Sequence, residues 1–246
     1  MIDLNKLLFQ EASNDENVFN SVFKKNDMIF RDYSSDKNVF TSVFDRNEYK
    51  LDELAPTDVV VDIGGHIGSF ALLAYVKGSR NIHTFESNSH NYAMLYYNTR
   101  DKNIKSHNKA VRGDYTFTKL GSSYGESINR SLVKNYGGVC VSKGNDVDVI
   151  TLNDILEEVK TIDILKLDCE GSEYSIIMQS PPEIFQKIKR IVGELHGSRS
   201  SIEINRVNGE VKTHEDFVAY LEKLGYTVNY KRTAPDSFLG KFDAHR

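Results

Sequence analysis

From residue 58 onward the chain alternates short β-branched runs with helical periodicity, and this order narrows its fold more than any other feature. Val59-Val60-Val61, within residues 58–62, reads as a buried strand stopped by Gly64 and Gly65. Ile67, Phe70, Ala71 and Ala74 then recur at i, i+3, i+4 and i+7, the apolar face of a helix. The pattern repeats with a strand at 81–85, a helix at 88–101 bearing Tyr92, Leu95 and Tyr96 on one face, and a weaker strand at 104–111. It resumes at Thr151 and Asp154, which resemble a capping box ahead of a helix faced by Leu152, Ile155, Leu156 and Val159. A strand at 162–167, a helix at 172–179, a helix opened by Pro181-Pro182 and running to about 190, and a strand at 191–195 follow. Thr213 is expected to cap a helix with Phe217, Tyr220, Leu221 and Leu224 on one face, ended by Gly225, before strands at 226–230 and 238–243. Such an order predicts an open, mostly parallel α/β sheet flanked by helices.

Two regions break the alternation. Residues 1–55 are polar and rich in aromatics, with strand-like pieces at 28–31 and 38–44 around Ser34-Ser35-Asp36. They are expected to form an N-terminal extension, either a substrate-recognition cap or part of the core, on a domain spanning 56–246. Inside that domain, 114–149 places strand-like stretches at 115–120 and 139–150 around a Gly/Ser/Tyr/Asn-rich segment at 121–138, read as an insertion that acts as a lid. A length of 246 residues suits one substantial core. The charge, 31 Lys+Arg against 35 Asp+Glu, is −4 with no basic tract, which argues against a nucleic-acid partner. The longest apolar run, 70–76, is too short for a bilayer, and no basic-then-apolar leader opens the chain. Cys140 and Cys169 make neither a disulfide framework nor a metal-binding spacing. The expectation is a cytoplasmic chain with no membrane partner; its oligomeric state stays open.

The acids at the strand ends carry the chemistry. The first strand ends Asp62-Ile63-Gly64-Gly65-His66-Ile67-Gly68, which is not the dinucleotide pattern G-x-G-x-x-G. Asp62 would repel a pyrophosphate but suits a cation such as the ammonium of an amino-acid-like ligand. The second strand ends at Glu86, 24 residues after Asp62, where an acid accepts hydrogen bonds from ribose hydroxyls. A ligand with an ammonium, a ribose and no phosphate is S-adenosylmethionine. The run Lys166-Leu-Asp-Cys-Glu-Gly-Ser-Glu173 then sets Asp168, Glu170 and Glu173 at the next strand end. Glu173 reads as a solvated acid, helix-start capping is the plain alternative for Asp168, and Cys169 reads as a small core residue. Glu194 and His196 point to one side by the two-residue period of a strand.

Taken together, Asp58-Val-Val-Val-Asp-Ile-Gly-Gly-His-Ile-Gly-Ser-Phe70, Thr84-Phe-Glu-Ser-Asn88, Asn108-Lys-Ala-Val111, Thr151-Leu-Asn-Asp-Ile155, Ile162-Asp-Ile-Leu-Lys-Leu-Asp-Cys-Glu-Gly-Ser-Glu173, Glu194-Leu-His196 and Leu224-Gly-Tyr226 resemble the FkbM-type S-adenosylmethionine-dependent methyltransferases. The resemblance implies a Rossmann-like, seven-stranded sheet of the class I methyltransferase type, with the fourth strand beside the first and beside the fifth. It also implies O-methylation of a hydroxyl, on a small-molecule or sugar acceptor. It places Asp62, Gly64, Gly65, His66, Gly68, Glu86, Ser87, Asn108, Ala110 and Asp168 at the donor, with Asn108 and Ala110 near the adenine. Asp168, Glu194 and His196 fall near the methyl group. The chain departs from the family at Gly65-His66, where a small residue followed by Asn is usual. For the hydroxyl proton, direct removal by His196 or Asp168 is preferred to a divalent metal held by Asp168, Glu194 and His196. The competing functions are a nicotinamide-dependent oxidoreductase, set back by the glycine spacing, and a non-catalytic relative that only binds.

Overall fold

A strand covered on both faces reads as a continuous apolar run, and Val59, Val60 and Val61 are all buried at the centre of the sheet. The computed structural model describes residues 22–25, 28–31, 35–114, 119–120, 147–197, 206–234 and 237–246. The segment 121–138, expected to be a lid, lies outside them. In chain order, β1 (Val22–Lys25) and β2 (Met28–Arg31) pair antiparallel, and α1 (Asp36–Phe40) runs into a π-helical turn at Thr41–Asp45. Then come β3 (Val59–Ile63), α2 (Ser69–Lys77), β4 (Asn81–Phe85), α3 (Ser89–Thr99) and β5 (Ile104–His107). β6 (Lys109–Arg112), β7 (Lys119–Leu120) and β8 (Val147–Thr151) form a small separate sheet. They are followed by α4 (Leu152–Val159), β9 (Ile162–Leu167), α5 (Glu173–Met178), a 3-10 turn at Pro182–Lys187 and β10 (Ile188–His196). A short ribbon of β11 (Arg206–Val207) and β12 (Glu210–Val211) precedes α6 (His214–Lys223), β13 (Thr227–Arg232) and β14 (Leu239–His245).

The main sheet has the expected seven strands, ordered β13-β14-β10-β9-β3-β4-β5. Its five central and edge strands from β10 to β5 are parallel, and β14 runs antiparallel to both neighbours. On one face Val59, Val61 and Ile63 pack with Ile155 of α4, Ile177 of α5 and Phe217 of α6. On the other, Val60 packs with Phe70, Ala71 and Ala74 of α2 and with Val43, Tyr49 and Leu51 from the N-terminal region. Aromatics of that region thus enter the core, Phe30 and Phe40 joining Ile67, Leu72 and Met94. The expected capping box is present at Thr151/Asp154, and the cap expected at Thr213 is a capping box completed by Asp216.

Four local expectations give way. Residues 38–44 are helical, because Val39, Phe40, Val43 and Phe44 recur at helical spacing and Phe40 stacks on Phe44 at 4.8 Å. The strand at 104–111 divides at Asn108, its first half joining the main sheet and its second the small one. On α3 the inward face carries Asn91, Met94, Leu95 and Asn98, while Tyr96 is exposed. Asn98 is tolerated there because its carboxamide accepts from Ile29 N (2.8 Å) and donates to the Ile67 carbonyl (2.9 Å). After Pro181-Pro182 the chain turns only as far as Lys187, since Ile188 already pairs with Ile162 of β9.

One polar row crosses the sheet beneath α2. Thr84, Asp62 and Lys166 are direct neighbours in register on β4, β3 and β9. Asp62 is 0% exposed; it accepts from Thr84 Oγ1 at 2.9 Å, and Lys166 Nζ stands 3.1 Å from its other oxygen. Burial would push the Lys166 amine down, but Asp62 and then Asp168 outweigh it and hold it above its ordinary value. Removing one partner of such a pair leaves an uncompensated buried charge. Lys166→Met should therefore destabilise the chain by about 3–5 kcal/mol, and Asp62→Asn in the same chain should restore most of it. Urea unfolding measures both; a Lys166→Met loss under about 1 kcal/mol would show the pair to be dispensable.

Candidate active site

The chain lays down β3, β4 and β5 outward in one direction, then returns to place β9 on the other side of β3. This reversal opens a crevice at the carboxyl ends of β3 and β9, where open α/β sheets bind ligands. Two residues beyond the buried polar row stand Glu86, Gly64, Asp168 and, on β10, Glu194. Three acids thus share one edge, with a glycine between the first two. Gly64 has φ +83°, and a Cβ there would stand 1.8 Å from the Asp168 carbonyl oxygen, so only glycine fits. Its N–H and that of Gly65 both donate to the Phe85 carbonyl at 2.9 Å, fastening the turn to β4, and Gly68 opens α2.

Glu86 is buried and braces both neighbouring turns, accepting from His66 N at 2.9 Å and Asn88 N at 2.7 Å. Burial pushes its carboxyl up to about 7 against the pull of those two N–H groups. Asn108 donates to the Glu86 carbonyl at 2.8 Å and the Ser87 carbonyl at 3.3 Å, and Ala110 is buried on β6 beside Val149. Glu86, Ser87 and Asn108 are therefore one connected wall. Asp62 is not part of the exposed edge: the cation it was expected to meet in a ligand is supplied from within by Lys166.

His66 adopts φ 49°, a left-handed conformation that His and Asn tolerate better than most residues. Its Nε2 lies 3.3 Å from Asp36 Oδ1, and Asp36 sits in the fork of Arg31 at 2.9 and 2.7 Å. Burial pushes the imidazole down to about 4, so it is neutral.

At the far end, His196 Nδ1 meets Glu173 Oε1 at 3.0 Å. Glu173 is fully buried, not solvated. Successive left-handed residues, Glu170 (φ 56°) and Gly171 (φ 108°), turn the backbone so that Cys169 N (2.7 Å) and Gly171 N (2.8 Å) donate to it. The Nε2 of His196 faces Glu170 at 3.6 Å, Asp168 at 3.9 Å and Glu194 at 4.0 Å. Asp168, Glu194 and His196 thus converge as expected. Burial would push His196 down, but Glu173, Glu170 and Asp168 hold it up at about 10. An imidazolium has no lone pair for a hydroxyl proton, so this charge environment disfavours the direct-base role expected of His196. Asp168 is held below its ordinary value by Lys166 and His196 in spite of burial, whereas burial and Asp168 raise Glu194.

Three site residues escaped the sequence. Tyr49 donates to Asp168 Oδ2 at 3.0 Å from 119 positions away, with no local signal to mark it. Lys166 had one: a lysine following the apolar run Ile164–Leu165, next to the last residue of its strand, as Asp62 is on β3. Glu173 gave the opposite signal, because an acid at a helix start is usually solvated.

The profile of the methyltransferase FkbM domain matches residues 62–228. Over 207 residues, 72% of this chain and 75% of the relative, the chain is 27% identical to the 31-O-demethyl-FK506 methyltransferase FkbM of Streptomyces tacrolimicus. The crystal structure of methyltransferase FkbM from Methylobacillus flagellatus KT superposes with a TM-score of 0.50 at 17% identity, covering 84% of this chain. The chain spans about half (48%) of that protein's length, and the likeness is one of fold. The sheet order is the Rossmann-like arrangement of class I methyltransferases. Matched over more than half of its length, the chain belongs to the FkbM methyltransferase family.

Proposed function

We propose that the chain moves the sulfonium methyl of S-adenosylmethionine to a hydroxyl of a small molecule or sugar. The observation that carries this is Glu86 facing Asp168 across Gly64 at the switch point of the sheet, with no side chain between them. Glu86 is placed for the ribose hydroxyls, the Gly64–Gly68 turn for the methionine portion, and the Glu86–Ser87–Asn108 wall for the adenine, with Ala110 behind it. With Asp62 engaged by Lys166, Asp168 is the acid at this turn left to face a cationic donor. Carboxylates on both sides of Gly64 repel a pyrophosphate, which tells against a nicotinamide dinucleotide.

Transfer is an in-line displacement. The hydroxyl oxygen attacks the methyl carbon, the carbon–sulfur bond leaves its electrons on sulfur, and the hydroxyl proton passes to a base. The protein's share is to position the partners and exclude water. We assign the acceptor end to Asp168, Glu194 and His196. A cleft of ≈ 530 Å³ runs over the β10, β14 and β13 face and is lined by Tyr49 and Lys241, the residues that contact Asp168 and Glu194. That volume is in the range of small-molecule sites, and Asn229, Lys231 and Asp243 give it a polar wall suited to a hydroxylated acceptor. The name of the Streptomyces relative gives an O-demethyl compound as its substrate, which supports oxygen as the accepting atom.

Calorimetry with adenosylmethionine tests the donor half. Each hydrogen bond to the Glu86 carboxylate is worth about 1.5–3 kcal/mol, so Glu86→Ala should weaken binding by about one to two decades per bond. Unchanged affinity in a folded Glu86→Ala protein would remove Glu86 from the site. Hydroxyl donors favour the ionised carboxylate, so donor binding lowers the Glu86 pKa from about 7. Affinity should rise with pH up to about 7 and then level, with a proton released on binding near neutrality. Glu86→Gln should abolish that release; its persistence in the variant would assign the proton to another group. Labelled-donor transfer to a panel of hydroxylated compounds tests the acceptor half, and transfer only to nitrogen or carbon acceptors would refute it.

A further inference from the structure

We infer that Asp168, Glu194 and His196 form a binding site for a divalent cation of the Mn²⁺ type. The inference deepens the proposed function, since it rests on the same strand ends receiving the acceptor. The three residues each offer one ligand atom, and those atoms lie within 4.8 Å of one another. Proximity alone would not single them out. What does is that each residue is held from behind while its other atom is turned toward a common point.

His196, 6% exposed, is anchored through Nδ1 by the buried Glu173 carboxylate, which two backbone N–H groups fix in turn. Its Nε2 therefore points into the space between the acids, and among the described residues no carboxylate oxygen comes closer to it than 3.6 Å; a dication bound there takes the place of the ring proton that these acids otherwise favour, and the proton is released to solvent. Asp168 has Oδ2 held by the Tyr49 hydroxyl at 3.0 Å, leaving Oδ1 toward Nε2. Glu194 has Oε1 beside Lys241 at 3.3 Å, leaving Oε2 toward Nε2. Glu170 adds a further carboxylate at the rim. A carboxylate on the distal ring nitrogen is the arrangement that orients a metal-binding histidine. Bonds of about 2.1 Å bring ligand atoms about 3–4 Å apart, so rotation of the two partly exposed carboxylates by about 1 Å closes the site. Asp168 and Glu194 are 28% and 20% exposed, which leaves an entry path.

Two carboxylates with one imidazole form an oxygen-rich set that suits Mn²⁺ better than a thiophilic ion, and better than Mg²⁺ for the nitrogen ligand. A cation there supplies an open position for the acceptor hydroxyl and lowers its pKa. Asp168 remains shared between the donor turn and the cation.

The test is a titration of Mn²⁺ into the chelator-stripped full chain, followed by the loss of the free-ion paramagnetic signal and by calorimetry. One saturable site is expected. His196→Ala and Glu194→Gln should each weaken it at least tenfold, and Glu173→Gln, which touches no ion, by about 10–100-fold. Thermal unfolding and binding of the demethylated donor product report folding; Glu194→Gln, on the more exposed residue, is the variant least able to disturb it. Absent or unsaturable Mn²⁺ binding in a protein that still binds the donor product overturns the cation site and leaves the methyl-transfer proposal standing. Saturable binding that none of these substitutions changes overturns this location. A protein that takes Mn²⁺ as expected but no donor upholds the cation site and refutes the methyl-transfer proposal.

Discussion

The buried ion pair between Asp62 and Lys166 is the interaction on which the rest of the site depends. Neither charge reaches water, so each needs the other, and their strands must stay in one register. Thr84 extends the constraint to β4. Lys166 also donates to the Gly64 carbonyl at 2.7 Å, holding the glycine turn down on β9. A buried pair of this kind adds little net stability over an apolar pair of equal size. Its contribution is positional: it neutralises Asp62, so that the negative charge at the sheet edge belongs to Glu86, Asp168 and Glu194.

A second pair, Glu173 with His196, works by the same logic beyond the carboxyl ends of β9 and β10. The two meet through Asp168, which lies 3.9 Å from Lys166 Nζ and 3.9 Å from His196 Nε2. Its carboxylate stays ionised because cations flank it, although burial opposes the charge. Asp168 is thus the node where the glycine turn and the Glu194–His196 cluster join, and Tyr49 engages one of its two oxygens.

Much of this was legible in the sequence, for physical reasons that also mark where legibility ends. A strand buried on both faces has to be mostly apolar and β-branched, so the runs Val59–Val61 of β3 and Ile164–Leu165 of β9 announce their strands; a capping box is written in four consecutive residues, as at Thr151–Asp154. The strand-end acids follow, because position at the carboxyl edge is a local property. Their partners are not local. Which residue meets Asp62 depends on a register set across about a hundred residues, and the Tyr49 contact depends on a loop packed under the sheet. Where a segment satisfies two periods at once, as 38–44 does, packing against α2 decides, and the period-two expectation fails.

His66 shows how backbone conformation restricts the choice of residue at the turn. Position 66 requires a left-handed backbone, and its N–H must reach Glu86. Asn would meet the first demand with a short side chain. Histidine also tolerates that conformation, and its longer side chain reaches Asp36, which Arg31 holds at the end of β2. The same strand end is tied to α3 through Asn98, whose carboxamide bonds both the Ile29 backbone and the Ile67 carbonyl. The N-terminal segment is thereby fastened to the glycine turn through both His66 and Ile67. At this position backbone conformation, rather than chemistry, selects among a few residue types, and the one present adds a tether that asparagine is too short to make.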